Sequence, residues 1–510
     1  MLHCDYIPSR RGRKTAFRFN GASHVPFLAS NPSSPPIEII QSPFVPSSDP
    51  LSKAFFPIRF DSGSDISNTT GPRTASDNNS TRADKVDLTL SNTCFTPNSD
   101  PMGWMHIYYA KFHRAHPFLP PMSSMFLFNP PNYLLKTMEY AVMHYSCVPP
   151  MDDQLRYMSG LVVDAEHSLP RVQALIILSI LAHSTGQAKL AREFLEAAVQ
   201  SASEIHLNQK EFVFPTEDGG KNIFQESARR TWWQLFVLDT LLAALQAGGT
   251  LVITINQPEV LLPEEDYLFE ETSCVLSNDS IQDLNSRLLF GEDRTYPSFA
   301  YLVEACLIFR DVLTQIRCPN TVSPGDHQAL DSRVALWFNL LPEEKRQVVK
   351  FDGSTDETMF QAHLIAHCAR IYLNLPYSCL MSPMTHMRRI ICSDPGIELP
   401  SPWGTLHTFK VLHAARGITE LASLPVSLNS HTPFFICFVV LSSVVHVGAC
   451  FALQNEVKES HRHHLGLNLS VLDEMGKVWS LASLSKVHIR QAAQDALSFR
   501  QSIDSILDVE

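Results

Sequence analysis

No two of the eleven cysteines, scattered singly from Cys4 to Cys450, stand in a CxxC pair. That excludes a legible disulfide framework or cysteine zinc site and suits reduced thiols. The opening run Met1-Leu2-His3-Cys4-Asp5-Tyr6 lacks the apolar stretch of a secretory signal, so secretion is not expected. Positive charge is scarce too: 40 Lys and Arg against 52 Asp and Glu leave a net charge of -12 over 510 residues. Phosphate-backbone affinity comes from clustered cations, so the chain as a whole is not a general polyanion binder and any nucleic-acid contact is local. Catalytic signatures are missing as well, with no nucleophile elbow, phosphate-binding glycine loop or HExxH motif, and the chain reads as non-enzymatic. One long uncharged run is present. Residues 432–455 contain no Asp, Glu, Lys or Arg and reach bilayer-spanning length, but Ser442, Ser443, His446 and Gly448 interrupt the apolar surface. A core helix is expected there and no membrane partner.

Composition divides the chain in three. Residues 1–20 form a basic head in which Arg10, Arg11, Arg13, Lys14 and Arg18 outweigh Asp5. Residues 21–100 are rich in Ser, Pro, Asn, Thr and Asp, with runs such as Ser33-Ser34-Pro35-Pro36 that cannot support a core; they are expected to be a disordered linker. Across 101–510 apolar residues recur at three- and four-residue spacing with Pro or Gly between segments, which predicts an all-α, multi-helical domain. The clearest helices are predicted over 171–182, 188–205, 225–247, 301–316, 328–340, 358–375, 406–422, 434–453 and 485–507. Gly248 and Gly249 are expected to stop the third of these with a left-handed residue. Residues 250–255, rich in β-branched side chains, are the one strand-like piece.

Within the third helix, positions 232, 235, 236, 239 and 242 share a stripe, so Trp232 and Trp233 are read as core and Asp239 as a carboxylate interrupting an apolar face. If buried, it needs a partner from another segment, because Arg229 and Arg230 lie two to three turns away along the axis. His363 and His367, four apart on a predicted helix, have the spacing of a shared metal ligand pair but no accompanying carboxylate motif, and are read as ordinary helix residues. The run His461-Arg462-His463-His464 is expected in a solvated loop, holding adventitious metal at most.

The segment Ser227-Ala228-Arg229-Arg230-Thr231-Trp232-Trp233-Gln234-Leu235-Phe236-Val237-Leu238-Asp239 resembles the signature helix of the fungal zinc-cluster transcription factors, in their fungal-specific regulatory domain. In that family an Arg-Arg-x-Trp-Trp helix ending in Asp leads through a glycine turn to an extended stretch closing in proline. Here Gly248-Gly249-Thr250-Leu251-Val252-Ile253 leads to Val260-Leu261-Leu262-Pro263. Gly249 and Thr250 stand where the family commonly has Arg and Pro. Upstream, Tyr108-Tyr109, Phe112-His113 and His116-Pro117-Phe118-Leu119-Pro120 are similar to the start of the same domain, and Ile205-His206-Leu207 to its Leu-His-Leu-like turn.

The resemblance implies a nuclear regulator of RNA polymerase II genes, with metabolic or secondary-metabolite clusters as the expected targets. It also makes Arg229, Arg230, Trp232, Trp233, Asp239, Gly248 and Pro263 a structural signature. Cys4 followed by Arg10-Arg11-Gly12-Arg13-Lys14 looks like the last cysteine and basic tail of a binuclear zinc cluster, but five of its six thiolates are absent from the sequence. No cofactor is therefore expected in the chain as written, and zinc only with an upstream cluster. The expected partners are DNA, bound weakly through the basic head, the transcription machinery or another zinc-cluster factor, and a small-molecule effector. The alternative reading is a helical interaction module that acts through an intact partner factor without touching DNA itself.

Overall fold

A computed structural model describes residues 103–146, 152–209, 221–245, 249–254, 259–266, 269, 276–290, 294–317, 324–381, 401–452 and 455–507. Cys4, the basic residues of 1–20, the linker of 21–100 and Gly248 lie outside these. Among the described residues the fold is all-α. Its helices are α1 (Gly103–Ile107), α2 (Asn132–Met143), α3 (Asp152–Val163), α4 (Leu169–Ser184) and α5 (Ala188–Glu204). They continue with α6 (Lys221–Leu245), α7 (Ile281–Phe290), α8 (Ser298–Arg317), α9 (Pro324–Asn339), α10 (Glu343–Arg346) and α11 (Glu357–Asn374). The last four are α12 (Ser401–Ala422), α13 (Phe435–Ala452), α14 (Asn455–Met475) and α15 (Ser480–Leu507). The only β pairing among the described residues is a single antiparallel bridge between Val349 and Thr355.

Helix α4 is buried on every side from Arg171 to Ser184, as its nearly all-round apolar sequence dictates. Against it lies α5, whose Ala191, Phe194, Leu195, Ala198 and Ala202 form the 3–4-spaced stripe that faces inward. The turn between them is a Schellman close: Gly186, at φ +83°, donates to His183 O, and Gln187 donates to Ala182 O at 2.9 Å. The far end of α5 closes in the same way, with His206 at φ +55° in the glycine-favouring position and Leu207 donating back to Ala202 O at 2.9 Å. The Ile205-His206-Leu207 turn is thus a helix stop, held by the burial of Leu207.

Further along, α8 packs on α11, whose first turn is capped by Asp356 accepting from Met359 N at 2.9 Å. The uncharged run becomes α13, packed among α12, α14 and α15. No helix among the described residues is long and apolar enough to cross a membrane.

Two local expectations change. Residues 250–254 have no strand partner among the described residues; a side chain takes up the amides of Val252 and Ile253, as described below. Gly249 is required by close approach and not by a left-handed φ: a Cβ there would meet Ala243 O at 2.7 Å and Leu242 O at 2.9 Å.

Candidate functional site: the signature helix and the cleft beside it

Helix α6 runs through the core and uses its polar side chains to hold two extended segments that cannot satisfy their own backbones. The first is 261–264. Trp233 Nε1 donates to Leu261 O at 2.9 Å, Arg229 Nη1 to Leu262 O at 3.1 Å, and Arg230 Nη2 to Glu264 O at 2.7 Å. Leu262 N donates to Asp279 O, and Glu264 N to Glu226 Oε1 at 2.8 Å. Pro263, buried between them, has no N–H to satisfy. A buried backbone must pair its polar groups, and the Arg-Arg-x-x-Trp spacing presents donors to three strap carbonyls, those of Leu261, Leu262 and Glu264, while Pro263 removes one donor from the account.

Arg230 is the most committed of these side chains. It is fully buried, donates through Nε to Glu226 Oε1 and through Nη1 to Asp266 Oδ1, both at 2.7 Å, and also reaches Pro117 O at 3.1 Å. Its guanidinium lies over the Phe269 ring, 4.4 Å from the centroid. Burial works against the charge, but Asp266 and Glu226 outweigh it and hold the guanidinium pKa above its ordinary value.

The second segment is 250–254. Asp239, completely buried, accepts from Val252 N through Oδ1 at 2.9 Å and from Ile253 N through Oδ2 at 3.0 Å. Its ionic partner is Arg310 of α8, whose Nη1 donates to Oδ2 at 3.0 Å. Arg310 also bonds Ile253 O and Thr240 Oγ1 and sits over the Phe236 ring, 4.3 Å from its centroid. The carbonyls at the end of α6 are met by Arg317 at Ala243 O and by Tyr372 at Ala244 O, each at 2.8 Å. Trp232 is core, its Nε1 without a hydrogen-bond partner among the described residues.

The sequence motif at 108–120 meets this helix. Besides the Arg230 bond to Pro117, Ser227 Oγ donates to Phe118 O at 2.7 Å and is itself held by Gln173 Nε2 at 3.0 Å. Where the two motifs join, a cleft of about 540 Å³ opens, walled by Tyr109, His113, Arg114, Arg230, Asp266 and Phe269. That volume lies within the range of small-molecule sites, roughly 300–1,000 Å³. His113 Nδ1 is buried there without a partner among the described residues. Burial, and then the nearby Arg230, push its pKa down to about 3, so it presents neutral imidazole to the cleft. The wall therefore combines an aromatic surface with a fixed cation, a carboxylate and a neutral donor–acceptor.

Residues 154–319 match the family model for the fungal specific transcription factor domain. The chain carries that domain. It contains the whole of α6, both straps and Arg310, whereas the 108–120 motif lies before the matched residues. A curated relative, C6 finger domain transcription factor iacK of Pestalotiopsis fici, is 29% identical over 402 residues, covering 76% of this chain and 58% of the relative. The chain thus spans little more than half the length of that relative. No solved structure matches.

The zinc cluster of such factors finds no counterpart among the described residues of this domain. The described cysteines Cys306, Cys368, Cys379, Cys437 and Cys450 form no disulfide, and burial raises the thiol pKa of Cys306 and Cys437 to about 12. His363 and His367 are both buried on α11, and among the described residues they do not form a three-ligand cluster: His363 Nε2 lies 3.2 Å from Lys345 O, and His367 packs against Gly417. Sequence reading missed Arg310, Glu226 and Asp266. For Arg310 the signal was available, a cation set among the apolar residues Cys306, Ile308, Phe309, Val312 and Leu313 of α8.

Proposed function

We propose that this chain is a nuclear regulator of RNA polymerase II transcription whose helical domain responds to a small molecule bound in the cleft at Arg230, with a metabolic or secondary-metabolite gene cluster as its target. The observation that carries the proposal is that the cleft wall is built from the signature helix itself. Arg230 joins Pro117 and Glu264 directly behind the cavity wall while its partner Asp266 is exposed there, so a ligand that competes for Asp266 acts on the contacts that fix the strap. The transcription-factor domain match and the named relative support the regulatory part of the reading.

The basic head, Arg10, Arg11, Arg13, Lys14 and Arg18, supplies phosphate contact or nuclear import, and contact with DNA-bound partners or the transcription machinery supplies the rest. Deleting and overexpressing the gene in its source organism, with transcript profiling and a fluorescent tag, tests this. A coherent set of changed transcripts and nuclear fluorescence are expected; an unchanged transcript profile would overturn the proposal.

A further inference from the structure

Far from the cleft, three histidines converge where α12, α13 and α14 meet. His446 on α13 is wholly buried, and His461 and His464 lie three residues apart on α14, so one helical face carries both toward α13. Arg462 and His463 between them are exposed, so the run expected to be a solvated loop is a helix with two inward imidazoles and two outward side chains. One ring nitrogen from each of His446, His461 and His464 lies within 4.8 Å of the others. From this geometry we infer a second, unassigned site: a divalent transition-metal ion of the zinc class, held by His446, His461 and His464.

The closest pair, His446 Nδ1 and His461 Nδ1, is 3.0 Å apart. Two nitrogens bound about 2.1 Å from one ion lie about 3.0 to 3.4 Å apart for ligand angles between about 90° and 109°. A histidine–histidine hydrogen bond would account for that distance as well, but not for the third ring. His464 Nδ1 is buried and has no partner among the described residues.

The hydrogen bonds around His446 are compatible with the tautomer that turns Nδ1 to the site. Its Nε2 lies 3.3 Å from Thr419 Oγ1. The Thr419 hydroxyl donates to Ala415 O or Ser442 Oγ, and Ser442 spends its own proton on Ala415 O at 2.8 Å. With its proton used in that way, Thr419 accepts from His446 Nε2–H, and in this tautomer the lone pair of His446 sits on Nδ1, 3.0 Å from His461 Nδ1. A hydroxyl that fixes the tautomer from behind is the outer support that metal-bound imidazoles use. Burial, with repulsion from the neighbouring rings at His446 and His461 and from Arg416 and His463 at His464, also keeps all three below their ordinary pKa, and neutral imidazole is the ligating form.

Three imidazoles favour Zn2+ and its neighbours over Mg2+ or Ca2+, and leave a fourth position for water or a small anion. The ion would tie α13 to α14, with α12 behind them. None of the three ligands lies within 154–319, so the site is separate from the matched domain region.

The test uses the full chain, stripped with chelator and melted with and without Zn2+. Wild type and the exposed-neighbour control His463→Ala are expected to gain about 3 °C or more with saturating metal, and His464→Ala less than a third of that. No gain in wild type, or an equal gain in His464→Ala, overturns the site. Should His464→Ala fail to fold, Co2+ titration of wild type decides. One equivalent giving visible ligand-field bands without thiolate-to-cobalt charge transfer supports the site; a thiolate band, or no stoichiometric uptake, contradicts it.

Discussion

Asp239 and Arg310, 71 positions apart in sequence, meet at 3.0 Å in the core, and between them they hold both the amides and the carbonyl of the segment that crosses over α6. The carboxylate is an internal cap for a stretch with no strand to pair with. Its role follows from the cost of leaving buried amides and a buried cation unpaired.

Replacing Asp239 with Ala is therefore expected to cost about 3–5 kcal/mol, because it strands Arg310 as well as two amides. Asp239→Asn, which keeps one acceptor oxygen, costs less. Chemical denaturation of the purified chain measures both. A loss under about 1 kcal/mol for the alanine variant would mean that the segment has found other partners.

The left-handed close of α5 gives a prediction of opposite sign. His206 sits at φ +55°, a conformation that strains a residue with a Cβ. His206→Gly should stabilise the chain by about 0.5–1 kcal/mol, the relief of strain exceeding the extra entropy glycine brings to the unfolded state. His206→Val should destabilise it. A destabilising glycine would show that the imidazole makes a contact worth more than the strain.

Several buried histidines set the response to acid. Burial holds His113 and His116 at about 3 and His144 and His183 at about 4, below the ordinary 6.5. Their folded pKa values are depressed, so between about pH 4 and 6.5 the unfolded chain binds more protons than the folded one. Stability is then full above the unfolded pKa and falls as pH drops, by about 1.4 kcal/mol per unit for each such group. Urea midpoints from pH 7.5 to 5 should decline steeply below pH 6.5, and His116→Phe should flatten the slope. A level profile would contradict the buried, neutral state.

Most helices were legible because their apolar residues recur on one face: the predicted 188–205, 301–316 and 358–375 appear as α5, α8 and α11 within a few residues. Helices α1, α2, α3, α7, α10 and α14 were not named in advance. In α14 polar and histidine-rich residues dominate, so inward His461 and His464 carry no hydrophobic signal and their relation to His446 is purely tertiary. At 250–255 β-branched composition suggested a strand, but composition does not say who satisfies the amides, and a carboxylate thirteen residues upstream of Val252 did so. Arg229, Arg230 and Asp239 could be singled out from the motif. Their partners could not, since Glu226 alone is local and Asp266, Glu264 and Arg310 arrive through the fold.

The basic head gives a prediction about DNA. Five cations on a segment without a zinc module can neutralise phosphates but cannot discriminate bases, so binding should be weak and tolerant of sequence. Affinity is expected to fall on the order of 10²–10³-fold between about 50 and about 200 mM salt. Fluorescence anisotropy on unrelated duplexes reads this directly. Enrichment of a defined motif by this chain in a random-site selection would show a reader that the sequence does not reveal.

The central claim, that this domain regulates transcription through the cleft beside Arg230, is tested most directly by tethering the full chain to a heterologous DNA-binding domain upstream of a reporter. The comparison is with Ser123→Trp, which places an indole at an exposed position of the cleft lining whose own side chain makes none of the Arg230 bonds. Wild type is expected to change reporter output several-fold relative to the DNA-binding domain alone, and Ser123→Trp to alter that output at equal protein level. Output equal to that of the DNA-binding domain alone, or identical for wild type and Ser123→Trp, would contradict the account.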